Sequence, residues 1–362
     1  MDNDKKMKIL FISRAYPPVI GGIENQNYEL SQWLPKYAEV KTIINTRGKK
    51  FLPVFFPYAT VKAIADARDC DAILLGDGVL ASIGWLLKII TKKPVISVVH
   101  GLDLTYDLAL YQKLWVNFFI PRMDKLIAVG NTTIEEGVKR NIPEEKFVFI
   151  PNGVDPESLI GNYSRKDLEK ITKLDLQGRK IILTLGRLAK RKGVAWFVEN
   201  VVPKLDANVM YLIAGDGVDK DNIKKAIVEN KLEKRVKLFT NISNGEKKVL
   251  YNTADLFVQP NIKIEGDMEG FGLVVLEAAS CERVVLVSQL EGLKDAIIPG
   301  KNGFLAESGN AEQYLKKINA LLSEDELRLN FGKQARKYVK ENYSWKNIAK
   351  EYMDEIKKNI SN

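Results

Sequence analysis

The chain has 362 residues, 46% hydrophobic and 28% charged, a balance that excludes a disordered or fibrous protein. That length predicts two domains rather than one core. The net charge of +9 favours anionic partners, whether nucleotide phosphates, nucleic acid or an acidic membrane surface.

The two cysteines, Cys70 and Cys281, stand alone and far apart, so no disulfide framework or structural zinc site is expected. Lone cysteines fit a reducing cytosol. The start, Met1 to Lys8, is polar and leads into Ile9-Leu10-Phe11-Ile12, a run too short for a signal-peptide core and without a small-residue cleavage site. The longest apolar stretch, Val79 to Ile90, contains Lys88 and is too short to span a bilayer. The expectation is a cytoplasmic protein, with peripheral attachment to the inner face of an anionic membrane left open.

The pattern then alternates. Strands are predicted at Lys8–Ser13, Val40–Ile44, Asp71–Leu75, Pro94–Val99, Leu126–Val129 and Phe147–Ile150. A helix is predicted over Glu24–Leu34, after Gly21-Gly22, and an apolar one follows Leu75 through Leu87. Asp155–Lys173 is polar, carries Pro156, Gly161 and Asn162, and reads as a break. The alternation restarts with strands at Lys180–Leu185, Val209–Ala214, Val236–Phe239, Leu256–Gln259 and Val284–Val287, and helices at Val194–Val201 and Asn222–Glu229. A charged, amphipathic helical tail begins at Ala311. Short apolar runs separated by helices indicate βαβ units and two mostly parallel sheets buried on both faces.

Ligands of such sheets bind at the carboxyl ends of strands, and the unusual residues of this chain fall there. Gly21-Gly22, ahead of a helix, lets backbone approach a phosphate, although a tight turn explains the pair as readily. His100, the one histidine, follows the strand ending at Val99; it can donate to a sugar hydroxyl or serve as a structural backbone-bonded ring. Gly186-Arg187-Leu188-Ala189-Lys190-Arg191-Lys192-Gly193 places four cations in six residues before a helix, suited to the charge that develops on a leaving diphosphate. A solvated basic loop is the plainer alternative. Glu269-Gly270-Phe271-Gly272-Leu273-Val274-Val275-Leu276-Glu277 sets two carboxylates across a Gly-rich start to an apolar helix. If helical, that spacing covers roughly 12 Å, comparable to a pyrophosphate linker, so one Glu can hold sugar hydroxyls and the other a ribose diol. Taken alone, a capping Glu and a surface Glu explain it better. Gly215-Asp216-Gly217 ends a strand and is a candidate wall of a base pocket or a simple turn. The acidic pairs Asp69/Asp71 and Asp219/Asp221 read as surface, so no metal is assigned.

In this order the elements resemble the retaining glycosyltransferases of family 4, of GT-B fold: Gly21-Gly22-Ile23-Glu24, His100-Gly101, Pro151-Asn152-Gly153-Val154-Asp155, Gly186-Arg187-Leu188 with Lys192-Gly193, Gly215-Asp216-Gly217, the E-x7-E of Glu269 to Glu277, and a closing Tyr343-Ser344-Trp345. The resemblance runs over nearly the whole chain. It implies an α/β protein of two Rossmann-like domains with parallel sheets facing an interdomain cleft, residues 1–160 with 345–362 forming one and 161–344 the other. It implies metal-independent, retaining hexosyl transfer from a nucleotide-sugar, a co-substrate rather than a cofactor, to a glycan or lipid-linked acceptor. His100, Arg187, Lys192 and Glu269 are its implied catalytic residues. Gly22, Gly215, Asp216, Ile242, Gly270, Phe271, Gly272, Leu273 and Glu277 are its implied donor contacts. The chain departs from the family at Glu282-Arg283-Val284, at Glu291-Gly292-Leu293-Lys294-Asp295 and at Asn241, while the Phe-Pro segment 45–59 matches no family element. Competing readings are a nucleotide-sugar epimerase of the same architecture, an inactive sugar-nucleotide-binding homologue, a more distant pyridoxal-phosphate phosphorylase, and a nucleic-acid-binding protein. The last lacks any recognisable motif, so no nucleic acid partner is expected.

Overall fold

The computed structural model describes residues 6–19 and 21–361; Met1 to Lys5 and Ile20 of the loop before Gly21-Gly22 lie outside them. The chain divides into two compact units. One runs to Gly153 and resumes at Trp345; the other is Val154–Ser344.

In the first unit, β1 (Lys8–Ser13), β2 (Glu39–Ile44), β3 (Ala72–Leu75), β4 (Val95–Val99), β5 (Lys125–Ala128) and β6 (Phe147–Phe149) form one parallel sheet in the order β2-β1-β3-β4-β5-β6. Every residue of β3 and β4 is buried, as a parallel sheet covered on both faces requires. One face carries α2 (Leu52–Ala67) and α3 (Ala81–Thr91), through Phe55, Ala59, Ala63, Ile83 and Leu87. The opposite face carries α1 (Gly22–Trp33) and the last helix, Trp345–Ser361, through Leu30, Trp345, Ile348, Tyr352 and Ile356. Gln26 Nε2 donates to Tyr352 Oη at 2.9 Å and ties these two helices together.

In the second unit, β7 (Lys180–Leu185), β8 (Val209–Ala214), β9 (Val236–Phe239), β10 (Leu256–Gln259), β11 (Val284–Ser288) and β12 (Phe304–Ala306) form a second parallel sheet in the order β12-β11-β10-β7-β8-β9. Each sheet reverses its winding once, between β1 and β3 and between β7 and β10, and the connections there depart to opposite faces. Such a point opens a crevice at the carboxyl edge.

Two expectations are corrected and two omissions are filled. The segment 45–59 enters α2, whose first turn accommodates Pro53 because an N–H at that position would have no helical partner and its absence costs nothing. The presumed break contains a helix, Arg165–Thr172, started by Ser164, whose N–H donates to Asp167 Oδ2 at 2.9 Å. β12 went unpredicted. Asp219, read as surface, is 4% exposed and accepts from Asn222 Nδ2. Cys70 and Cys281 are buried, unpaired core residues.

Candidate active site

At the β7–β10 reversal the basic loop folds onto the end of β10. Its last turn closes at Gly193, whose φ of +65° suits glycine, and a Cβ there would strike the Pro260 carbonyl. Ile262 N donates to the Arg191 carbonyl at 2.9 Å and staples the two segments. The four cations separate as a result. Arg187 and Lys190 are exposed, and Arg191 and Lys192 are buried. Arg187, Lys192 and Gln259 line one crevice with Gly186 and Leu188.

Lys192 Nζ lies 2.5 Å from Glu269 Oε2, with the two residues 8% and 7% exposed. Asn261 Nδ2 donates to the same carboxylate at 3.1 Å, and Gln259 Nε2 in turn donates to Asn261 Oδ1 at 2.8 Å. Arg191 pairs with Asp267 at 2.8 Å, its Nε 3.6 Å from Glu269. Burial pushes the Glu269 carboxyl up, but Lys192, Arg191 and Asn261 outweigh it and hold the group below its ordinary value. The site therefore keeps an ionised carboxylate against a fixed ammonium.

The stretch after Glu269 is not helical. The helix spans Leu273–Ser280 and begins at Gly272, whose φ is +85°. The roughly 12 Å helical spacing between the two glutamates therefore does not apply; Glu269 sits in a loop. That loop is clamped from an unexpected side. Glu291, 6% exposed, accepts from Glu269 N at 2.7 Å through one oxygen and from Lys263 Nζ at 2.8 Å through the other. Gly292 N returns a bond to the Glu269 carbonyl at 3.1 Å. The departure from the family pattern at Glu291-Gly292 is thus a working anchor. A Cβ at Gly270 would meet nothing within 4 Å, so the backbone there faces open space. Phe271 is buried, and its ring centroid lies 6.2 Å from that of Tyr343. On the helix, Glu277 accepts from Tyr251 Oη at 2.7 Å and Lys247 Nζ at 2.9 Å.

On the β8–β9 side, Gly215 packs against the Gly186 carbonyl so closely that no Cβ fits. Asp216 is exposed and pairs with Lys220 at 3.0 Å. Ile242 is half-buried beside Asn241, whose φ is +57°. The second unit therefore brings Arg187, Lys192, Glu269 and Gly270 to Leu273 to one carboxyl edge, flanked by Gly215, Asp216, Ile242 and Glu277. The partners Gln259, Asn261, Tyr251, Lys247 and Glu291 were not anticipated. The position of Gln259 and Asn261 at a strand's carboxyl end was the signal available for those two.

Gly22 and His100 belong to the first unit. Gly22 opens α1, and a Cβ there would meet nothing within 4 Å. His100 follows β4 and is 8% exposed. Burial lowers its pKa, while Asp103 and a hydrogen bond to the Gly76 backbone oppose that. Nε2 is buried and has no hydrogen-bond partner among the described residues. The neighbouring β3 end carries a second polar group that sequence reading passed over. Asp77 is fully buried, binds Arg14 Nε at 2.8 Å and Val79 N at 3.0 Å, and leaves Oδ2 unpartnered. Burial pushes its carboxyl up to about 6 against the pull of Arg14. Asp103 braces both segments, accepting from His100 N at 2.9 Å and Gly78 N at 3.1 Å.

Two parallel sheets, each with its polar chemistry gathered at the carboxyl edge of a winding reversal, are the architecture of GT-B glycosyltransferases. The chain shares that fold over 97% of its length with all of an Anabaena protein, HepE, solved in complex with UDP (TM-score 0.78, 19% identical). It is 26% identical to an uncharacterized glycosyltransferase of Methanocaldococcus jannaschii, over 97% of this chain and 98% of that one. It is 25% identical to the GPI3 subunit of a Saccharomyces cerevisiae phosphatidylinositol N-acetylglucosaminyltransferase, over 68% of this chain and 54% of that one. Residues 25–158 match the model of Glycosyltransferase Family 4 and residues 166–338 that of Glycosyl transferases group 1. The chain belongs to the group 1, family 4 glycosyltransferases and is itself a glycosyltransferase.

Proposed function

We propose that this enzyme moves a hexosyl unit from a nucleoside diphosphate sugar to a glycan or lipid-linked acceptor, with retained configuration and without a metal. The observation that carries the reading is the buried Lys192–Glu269 pair, set beside exposed Arg187 at the β7–β10 reversal. Lys192 and Arg187 would neutralise the departing diphosphate, the role a divalent cation plays elsewhere. Glu269 and the open backbone at Gly270 to Leu273 would hold the sugar. Glu277, oriented by Lys247 and Tyr251, would accept from the ribose hydroxyls. Gly215, Asp216 and Ile242 would flank the base. Gly22 would approach the phosphates, and His100 Nε2 would hydrogen-bond a sugar hydroxyl. In the transfer, the bond from the anomeric carbon to the phosphate oxygen breaks and the acceptor oxygen bonds to that carbon on the same face. The acceptor's proton passes to the departing phosphate.

A uridine donor is supported by the fold neighbour bound to UDP and to UDP-glucose, and a lipid acceptor by the phosphatidylinositol-modifying relative. The setting would be glycolipid, polysaccharide or cell-envelope synthesis in the cytoplasm, at the inner face of a membrane. Among the described residues, no helix is long and apolar enough to cross one.

The test is a melting screen against UDP, GDP, ADP and their sugars, followed by assay of nucleoside diphosphate release with candidate acceptors in chelator. A ligand bound only by the native state raises the midpoint. A shift with one nucleotide and chelator-resistant, acceptor-dependent release support the reading. Isomerised donor without an acceptor would instead establish an epimerase.

A further inference from the structure

Helix α2 is apolar on both sides. Phe55, Ala59, Ala63 and Ala67, four residues apart, pack into the core. The opposite side carries Pro53, Val54, Pro57, Tyr58, Val61 and Ala65, all exposed. Val54, Tyr58 and Val61 are 55%, 54% and 72% exposed. A helix facing water places charge there; one apolar all round is buried or meets a non-aqueous phase. The one charged side chain between Phe51 and Ala65 is Lys62, paired with Asp66 at 2.8 Å. Helix α3 packs beside α2 and exposes Ile89 and Ile90 at its end.

The charges that lead into α2 and follow α3 have one sign; Asp66, paired with Lys62, and exposed Asp69 stand at the far end of α2. Arg47, Lys49 and Lys50 lead into α2 and are exposed, with the Arg47 guanidinium over the Phe51 ring at 4.7 Å. Lys92, exposed, and Lys93 follow α3. Neither residues 46–65 nor residues 84–94 contain an acidic residue. A second copy meeting this face through a two-fold axis would bring the same cations together. A protein interface core is depleted in lysine. Lysine and arginine rimming aliphatic and tyrosine side chains instead match an anionic bilayer, where the stems follow the apolar layer and the heads meet the phosphates.

We propose that the outer face of α2, with the end of α3, is the surface by which this enzyme seats on an anionic lipid bilayer, α2 lying flat at the headgroup level. The inference deepens the lipid-linked acceptor reading and rests on it for its purpose, since it would place the enzyme where such acceptors reside.

The test is flotation of the full chain with vesicles of phosphatidylcholine, alone or mixed with phosphatidylglycerol, at low and high salt. Wild type is expected to float with the anionic vesicles, less with the neutral ones, and less at high salt. Val61→Asp should lower the bound fraction tenfold or more, because it exchanges a buried apolar contact for a charge. Lys49→Ala/Lys50→Ala should lower it several-fold for each lysine on anionic vesicles. The lysine pair lies outside every core cluster and guards against misfolding of the Val61 variant. Absence of flotation, or equal flotation of all variants, overturns the proposal. So does light scattering that finds a dimer dissociated by Val61→Asp, which assigns the face to a second copy. The UDP melting shift, measured on the same samples, separates this failure from failure of the transfer reading: a protein that binds UDP but not vesicles leaves the enzyme assignment standing.

Discussion

Lys192 and Glu269 are each more than nine-tenths buried, so each supplies the charge that water would otherwise supply to the other. Removing one partner of such a pair costs about 3–5 kcal/mol, because the other charge stays behind uncompensated. Lys192→Met is therefore expected to lower the melting temperature sharply. Adding Glu269→Gln should restore most of it. The double variant should have native circular dichroism and transfer sugar at least about a hundredfold more slowly, the cost of losing one donor aimed at developing charge. Activity near wild type in that well-folded double variant would remove the pair from the site. Because the Glu269 carboxyl is held below its ordinary value, its contribution to stability is present above the usual carboxylate range and lost as pH falls through the lowered pKa. Gly270 supplies a cleaner separation of fold from function. With space around its Cα and no positive φ, Gly270→Ala should melt with wild type while raising the donor KM. An unchanged KM would show that the open backbone is not a ligand surface.

At the scale of elements, the carboxyl edges of the strands decide where charge can be buried. Asp77 follows the end of β3 and is fully buried, and its carboxyl is pushed up to about 6 from 3.8. The native state thus holds that proton more tightly than the unfolded chain. The stabilising contribution is complete below about pH 4 and lost as pH rises through 6, at most roughly 3 kcal/mol. The stability of wild type relative to Asp77→Asn should therefore fall between pH 4 and 7; subtraction cancels the charged groups other than Arg14 and Asp103, which face the same side chain. A flat difference, measured by denaturant unfolding across that range, would contradict the assignment. The strands themselves were legible because full burial on both faces leaves continuous apolar runs. Helix α2 was not, since apolar residues on both sides erase the 3.6-residue period by which helices are recognised. The helix Arg165–Thr172 hid for the opposite reason. It buries only Leu168 and Thr172, so its composition is that of a linker.

At the scale of the molecule, the first unit is discontinuous, and its last helix closes one face of the sheet. Trp345 is 1% exposed and packs on Gly153, leaving no space for a side chain there. Trp345→Ala is expected to cost about 3–5 kcal/mol. Ending the chain after Ser344 should expose the apolar face formed by Ile9, Phe11 and Leu74 and unfold this unit. Calorimetry should then show the second unit's transition in place, because its core is built from other residues. Loss of both transitions together would mean that the units do not fold separately.

Alternating apolar runs, the loop glycines and the order of motifs determined the α/β class, the positions of all described strands but β12, and the family, because those features depend only on local periodicity and on residue identity at strand ends. The pairing of Lys192 with Glu269 through Asn261 and Gln259, the Glu291 clamp, the orphaned oxygen of Asp77 and the apolar outer side of α2 were decided by tertiary structure alone. Each depends on which segments the sheet order brings together and on which side of a helix is left uncovered, and neither quantity has a signature along a single chain.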